Sequence, residues 1–191
     1  MKSARLLVTL AASAAAVVVT AASRDAHALG PIDLEVGAKA GIGTNPSSSS
    51  VNPLGFGLGG RGGVDFFGIY AGVDVMYYLG GSQTVLGESY SYHTLMYGVD
   101  LGYNFKIAIL TIRPQVGIGN AQFTASGGGQ SQTNGNLYLE PGLTGLVSLG
   151  TFFVGADANL LVLPNVNQGA GSTSSKTETA FTLHGQIGVR F

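Results

Sequence analysis

The last eleven residues, FTLHGQIGVRF (Phe181–Phe191), alternate almost without interruption. Phe181, Leu183, Ile187, Val189 and Phe191 share one parity, with Gly185 the only gap; Thr182, His184, Gln186, Gly188 and Arg190 share the other. Successive side chains of an extended chain point to opposite faces, so this segment is a strand with one apolar and one polar face. Soluble sheets and lipid-embedded sheets both use such strands. They differ in which face meets the surroundings.

Seven further segments alternate. Ile32–Ile42 points Ile32, Leu34, Val36, Ala38, Ala40 and Ile42 one way, and Asp33, Glu35 and Lys39 the other. Leu54–Phe66 places Leu54, Phe56, Leu58, Val64 and Phe66 opposite Arg61 and Asp65. Gly68–Leu79 places Ile69, Ala71, Val73, Val75 and Tyr77 opposite Tyr70, Asp74, Met76 and Tyr78, and Thr94–Phe105 places Leu95, Tyr97, Val99, Leu101 and Tyr103 opposite Asp100. Ile109–Phe123 sets Leu110, Ile112, Val116 and Ile118 against Arg113 and Gln115, with Pro114 removing one ladder donor. Leu137–Leu149 sets Leu137, Leu139, Leu143 and Val147 against Tyr138, Glu140 and Thr144; Phe152–Leu163 sets Val154, Ala156, Ala158, Leu160 and Val162 against Asp157 and Asn159. Each stretch alone is a weak signal. Jointly they discriminate, because every charged residue after Ala28 falls on the polar parity or in a connection. A soluble sandwich exposes its polar parity and loads it with charge. Here only 10% of the chain is charged, against about a quarter in an ordinary soluble domain.

The beginning of the chain reads differently. Lys2 and Arg5 precede an apolar run, Leu6 to Ala22, and Ala26-His27-Ala28 supplies a small-x-small end, the layout of a cleavable secretory signal over residues 1–28. Residues 29–191 are then a single domain. Beyond Leu29 no apolar run approaches the roughly 20 residues of a spanning helix. Lipid-exposed backbone must be paired within the protein, and strands achieve that only by closing into a barrel. The expected fold is therefore all-β, a membrane-spanning antiparallel up-and-down barrel of eight strands. The absence of Cys excludes disulfides and a lipoprotein anchor, and a net charge of −1 gives no reason to expect nucleic acid.

The connections alternate in length. Those near Phe67-Gly68, Lys106-Ile107 and Gly150-Thr151 are short, whereas Thr44–Pro53, Gly80–Tyr92, Thr124–Asn136 and Pro164–Glu178 are long and polar. Short turns on the periplasmic side and long external loops are the outer-membrane arrangement. Phe66, Phe67, Tyr103, Phe105, Phe152, Phe153 and Phe191 gather at the short-turn ends, where an interfacial aromatic girdle belongs. The long connections, NPSSSSVNP, SGGGQSQTNGN and NQGAGSTSS among them, have the composition of flexible, solvated loops suited to surface contact.

Signal segment, eight strands, the motifs YGVDLGYNF (Tyr97–Phe105) and RPQVGIG (Arg113–Gly119), and the terminal Phe together resemble the small outer-membrane β-barrel proteins of Gram-negative bacteria. The OmpA transmembrane domain and OmpX-like barrels are the nearest in architecture. The resemblance implies export to the outer membrane of the cell envelope and contact with outer-membrane lipid and lipopolysaccharide. It also implies assembly through the C-terminal strand, with Phe181, Leu183, Ile187, Val189 and Phe191 read by the barrel assembly machinery. A monomer is expected, with a structural or adhesin-like role at the cell surface and a surface ligand the sequence does not name.

An eight-stranded barrel is about wide enough for side chains to fill. Arg61, Asp74, Asp100, Arg113 and Asp157 fall near mid-height on the inward parity, Glu35 lower, Glu140 and His184 higher. These residues are expected to form a buried ionic network that plugs the lumen; a narrow, porin-like or gated pore for small solutes is the alternative. Inward glycines, Gly63 and Gly72 among them, leave room for long Arg and Tyr side chains. Glu88, Ser89, Ser91 and His93 carry the residue types of a nucleophile–base–orienter set, as an outer-leaflet lipid-modifying enzyme would need, but they crowd into one polar loop. No catalytic activity, cofactor or metal is expected.

Overall fold

The computed structural model describes residues 32–46, 51–85, 88–167 and 175–191; the expected signal segment lies outside the described residues. Nine strands are formed: β1 (Ile32–Gly43), β2 (Phe56–Phe66), β3 (Ile69–Val85), β4 (Glu88–Tyr103), β5 (Phe105–Ile107), β6 (Leu110–Gly127), β7 (Gln130–Leu149), β8 (Phe152–Asn167) and β9 (Ser175–Arg190). The sheet runs β4-β3-β2-β1-β9-β8-β7-β6-β5, and β4 also pairs with β6, which closes the ring. Strand β5 continues β4 past a break at Asn104 and pairs with β6, so the wall has eight staves. All pairings are antiparallel. The closing strand β9 meets β1 from Glu35↔Arg190 to Gly43↔Thr182, and that seam removes the edges an open sheet would leave.

The faces sort as the parity predicts. Outward positions are apolar and open, for example Val73 (57% exposed) and Ile187 (58%). The enclosed side chains face the lumen and include Lys39, Arg61, Arg113 and Asp157. The turn after β2 has two residues at positive φ, Phe67 (50°) and Gly68 (87°). Such a turn matches the twist of the flanking strands, and the Asp65 carboxylate steadies it by accepting from the Gly68 N–H at 2.7 Å.

Several expectations are corrected. Leu54, assigned to the lipid-facing parity, is 0% exposed. It precedes β2 in a connection folded inward, where Gly43 N–H donates to the Leu54 carbonyl and the Asn52 carboxamide accepts from Leu54 N–H; strand parity does not govern such a segment. Val189 keeps its outward parity but is 7% exposed, flanked by Val36 on β1 and Phe152 on β8. Phe153, counted with the girdle, is buried in the lumen. The turn expected at Lys106-Ile107 falls at Ala108 (φ 52°) and Ile109.

Two of the long connections, Gly80–Tyr92 and Thr124–Asn136, give way to strand. The ladder between β3 and β4 continues to Val85↔Glu88, and that between β6 and β7 to Gly127↔Gln130. Polar composition suggested loops, but the hydroxyls pair across the strands, Thr124 with Thr133 at 2.9 Å and Ser126 with Ser131 at 3.0 Å. Such cross-strand pairs stabilise a hairpin, and Gly128 and Gly129, both at positive φ, turn it.

Candidate functional site

The lumen holds two charged layers and a cap. Near the short turns, Glu35 on β1 is fully enclosed and three guanidinium groups converge on it. Arg113 on β6 places Nη2 2.8 Å from both carboxylate oxygens. Arg190 on β9 donates from Nη2 at 2.5 Å and from Nε at 3.1 Å, and Arg61 on β2 donates from Nη2. The guanidinium carbon of Arg113 lies 3.5 Å from the centre of the Tyr70 ring; that of Arg61 lies 5.4 Å from Tyr70 and 5.3 Å from Phe153. Weakly hydrated, planar guanidinium suits such stacking. Gly63 makes the space for it, since a Cβ there would stand 2.5 Å from the Tyr70 ring.

The layer extends to the turn end. Arg113 Nε donates to Asn104 Oδ1 at 2.6 Å, and the Asn104 amide donates to Asp65 at 2.5 Å. Lys106 then bridges Asp65 at 3.0 Å and Asp33 at 2.9 Å. These groups border an open cleft of about 460 Å³ between Asp33, Asp65, Phe67, Tyr103 and Lys106.

Above this, Lys39 on β1 pairs with Asp74 at 2.9 Å and Asp157 at 3.5 Å. Asp157 also accepts from Asn159 and Gln186 and contacts His184 Nδ1 at 2.7 Å, while His184 Nε2 meets the Tyr78 hydroxyl at 2.6 Å. Glu140 accepts from the Thr182 hydroxyl at 2.8 Å. Asp100 makes no ion pair or side-chain hydrogen bond among the described residues; it stands over Gly117, where a Cβ would come within 2.6 Å of its Oδ1. Charge is thus divided along the axis, with guanidinium in excess around Glu35 and carboxylate in excess around Lys39. At the outer end Leu54, Met76, Tyr78, Met96, Tyr138, Leu161 and Leu163 form an apolar cluster across the mouth.

The eight residues expected in one network therefore divide. Glu35, Arg61 and Arg113 meet in the lower layer; Asp74, Asp157 and His184 meet in the upper; Glu140 joins through Thr182, and Asp100 stands apart. Sequence reasoning placed Lys39, Asp65 and Arg190 on the inward parity without assigning them to the network, and it missed Asn104. Their parity was legible; their heights relative to partners were not. His93 faces outward 5.6 Å from the Tyr77 ring. Ser91 donates instead to the Ser126 carbonyl at 3.5 Å, so no Ser–His pair forms among the described residues.

No protein-family profile matches the chain, and no curated protein matches it in sequence. Solved structures do. Neisserial surface protein A is similar with a TM-score of 0.56 and 16% identity, over 84% of this chain and 97% of that one. The N-terminal β-barrel domain of OprF from Pseudomonas aeruginosa gives 0.56 and 14%, over 83% and 97%. A major outer membrane protein from Thermus thermophilus gives 0.61 and 12%, over 84% and 99%. The fold is that of the small outer-membrane β-barrels. At such low identity the likeness is one of fold alone; in such a wall the apolar parity faces out and charge collects within.

Proposed function

We propose that the chain is an exported, monomeric outer-membrane barrel whose ionic layers and apolar cap close the lumen, and whose role is structural or one of contact at the cell surface. The observation that carries this is the inverted sorting of side chains: the wall is apolar outside and charged within. An apolar belt of this extent on a soluble monomer would be an aggregation surface; in lipid it is the solvated face. Lipid and lipopolysaccharide are its surroundings, and the strand ending in Phe191 is the segment the assembly machinery recognises. No catalytic role is assigned to Ser89, Ser91 or His93.

Membrane fractionation with electrophoresis of boiled and unboiled samples tests the location. The protein is expected in the outer-membrane fraction with a mobility that changes on boiling, and its N-terminus is expected at Leu29. Recovery in the soluble fraction overturns the proposal. Phe191→Ser is expected to reduce the boil-sensitive form several-fold while synthesis continues, as loss of an assembly signal requires.

A narrow pore is the competing role, because the lumen is polar from the turn end up to the cap. Planar-bilayer recording separates the two. The closed reading predicts no steady unit conductance, and small-residue replacement of the cap, as in Leu161→Ala with Leu163→Ala, should leave the Glu35–Arg113 layer shut. Steady conductance altered by Arg61→Ala or Arg113→Ala would establish the pore instead.

A further inference from the structure

At the short-turn end the ladder sets two carboxylates against each other, Asp33 on β1 directly opposite Asp65 on β2. Like charges so placed destabilise a strand pair. One cation serves both, since Lys106 Nζ lies 2.9 Å from Asp33 Oδ2 and 3.0 Å from Asp65 Oδ2. Asp65 is fully used, accepting from Gly68 N–H and Asn104 as well as meeting Lys106. Asp33 is not: its Oδ1 has no partner among the described residues. An ammonium has three donors, so Lys106 also keeps one to spare among the described residues. The group is left with one uncompensated negative charge, one open acceptor and one open donor, on side chains that water or a ligand can reach.

These groups face the open cleft of about 460 Å³, a volume within the range of ligand sites. It is a dead end: Asn104, bonded to both Asp65 and Arg113, separates it from the Glu35 layer. Phe67 and Tyr103 line it too, each paired with a further exposed ring. Phe67 meets Phe66 at 4.7 Å between centroids, and Tyr103 meets Phe105 at 4.9 Å. The break between β4 and β5 at Asn104 is what lets inward carboxylates and an outward ring share one cleft.

We propose that this cleft seats the headgroup of an aminophospholipid, its primary ammonium on Asp33 and its phosphate on Lys106. The site deepens the membrane reading and rests on it. Aromatic girdles sit at headgroup level, so a lipid anchored here lays its acyl chains against the apolar wall beside Tyr103 and Phe105. Charge of both signs does the selecting. An anionic headgroup without an ammonium meets two carboxylates and a single lysine. Choline is positive but has no N–H to donate to Asp33 Oδ1, and its recognition relies on a cage of ring faces. Free phosphoethanolamine offers the same two charges but no apolar surface to cover the rings, which separates the lipid from the solute.

The full chain, isotope-labelled in detergent micelles, is titrated with short-chain phosphatidylethanolamine, phosphatidylcholine and phosphatidylglycerol, and with free phosphoethanolamine. Saturable amide shifts are expected at residues 65–68 and 103–107 with the ethanolamine lipid. Its binding should be about tenfold or more tighter than that of either other lipid, the scale of one hydrogen bond between charged groups. Free phosphoethanolamine should bind more weakly by at least a similar factor. Asp33→Asn keeps the shape and removes the charge. It should bring the ethanolamine lipid down to the level of choline while boil-dependent mobility is kept, because a partly exposed ion pair contributes little to folding. Equal affinity for the three lipids, a preference for either of the other two, shifts spread along the whole wall, or an unchanged preference in Asp33→Asn overturns the proposal. Equally tight binding of free phosphoethanolamine makes the cleft a site for a soluble solute and overturns the lipid assignment. In each of these cases the membrane reading stands if the protein fractionates with the outer membrane; recovery in the soluble fraction removes both.

Discussion

Glu35→Ala is expected to destabilise the folded barrel by about 3–5 kcal/mol, because removing one partner of a buried pair leaves the other charge uncompensated. Here three guanidinium groups lose their one common carboxylate. Arg113, in contact with both carboxylate oxygens and itself fully enclosed, has the least access to water. Urea titration of refolding into lipid vesicles, read by boil-dependent mobility, measures the loss. Adding Arg113→Met to Glu35→Ala should recover part of it, since an apolar replacement removes one stranded charge and keeps much of the volume over Tyr70. A loss below about 1 kcal/mol would mean that the three groups are solvated much as surface ion pairs are, and would remove the basis for a closed lower layer.

Val73→Arg is expected to cost about 2–4 kcal/mol in vesicles, the range for a cation at the lipid face near the midplane of a barrel. Val73 stands outward at mid-wall, paired with Val99 on β4 and Gly62 on β2, and is more than half exposed. On a soluble protein the same substitution at so open a position would change stability by no more than about 0.5 kcal/mol. The refolding titration above distinguishes the two outcomes directly. A small effect would place the apolar belt in water and overturn the membrane location. A large one, repeated by Leu101→Arg on β4, would map the belt.

These two substitutions draw on different parts of the molecule, one legible in the sequence and one not. The outward-facing set is readable because alternation is local: each segment reports which of its faces is apolar without reference to any other. Alternation misleads where the chain leaves the strand. Leu54 lies in a connection that folds into the mouth. Phe153 is the opposite case: its place beside the turn at Gly150 suggests the girdle, while its parity points inward, to Arg61. The outer hairpins have the composition of loops because Ser, Thr, Gln and Gly dominate them. Composition cannot show that Thr124 and Thr133 stand opposite each other until the register of β6 on β7 is known.

The wall is written in the residue order: eight alternating segments, closed into a ring, with charge inside. This is so because a period of two assigns every residue to a face, and because lipid admits strands only as a closed barrel. Which charges meet is a property of the folded ring. Glu35 and Arg113 lie on staves that are not neighbours and 78 residues apart in sequence, and their contact depends on the stagger of the whole ring. Asp100 has the same parity and forms no ion pair among the described residues, while Lys39 joins two carboxylates from different staves. Parity gives a residue its face, but height and azimuth in the lumen come from the registers of all eight staves together.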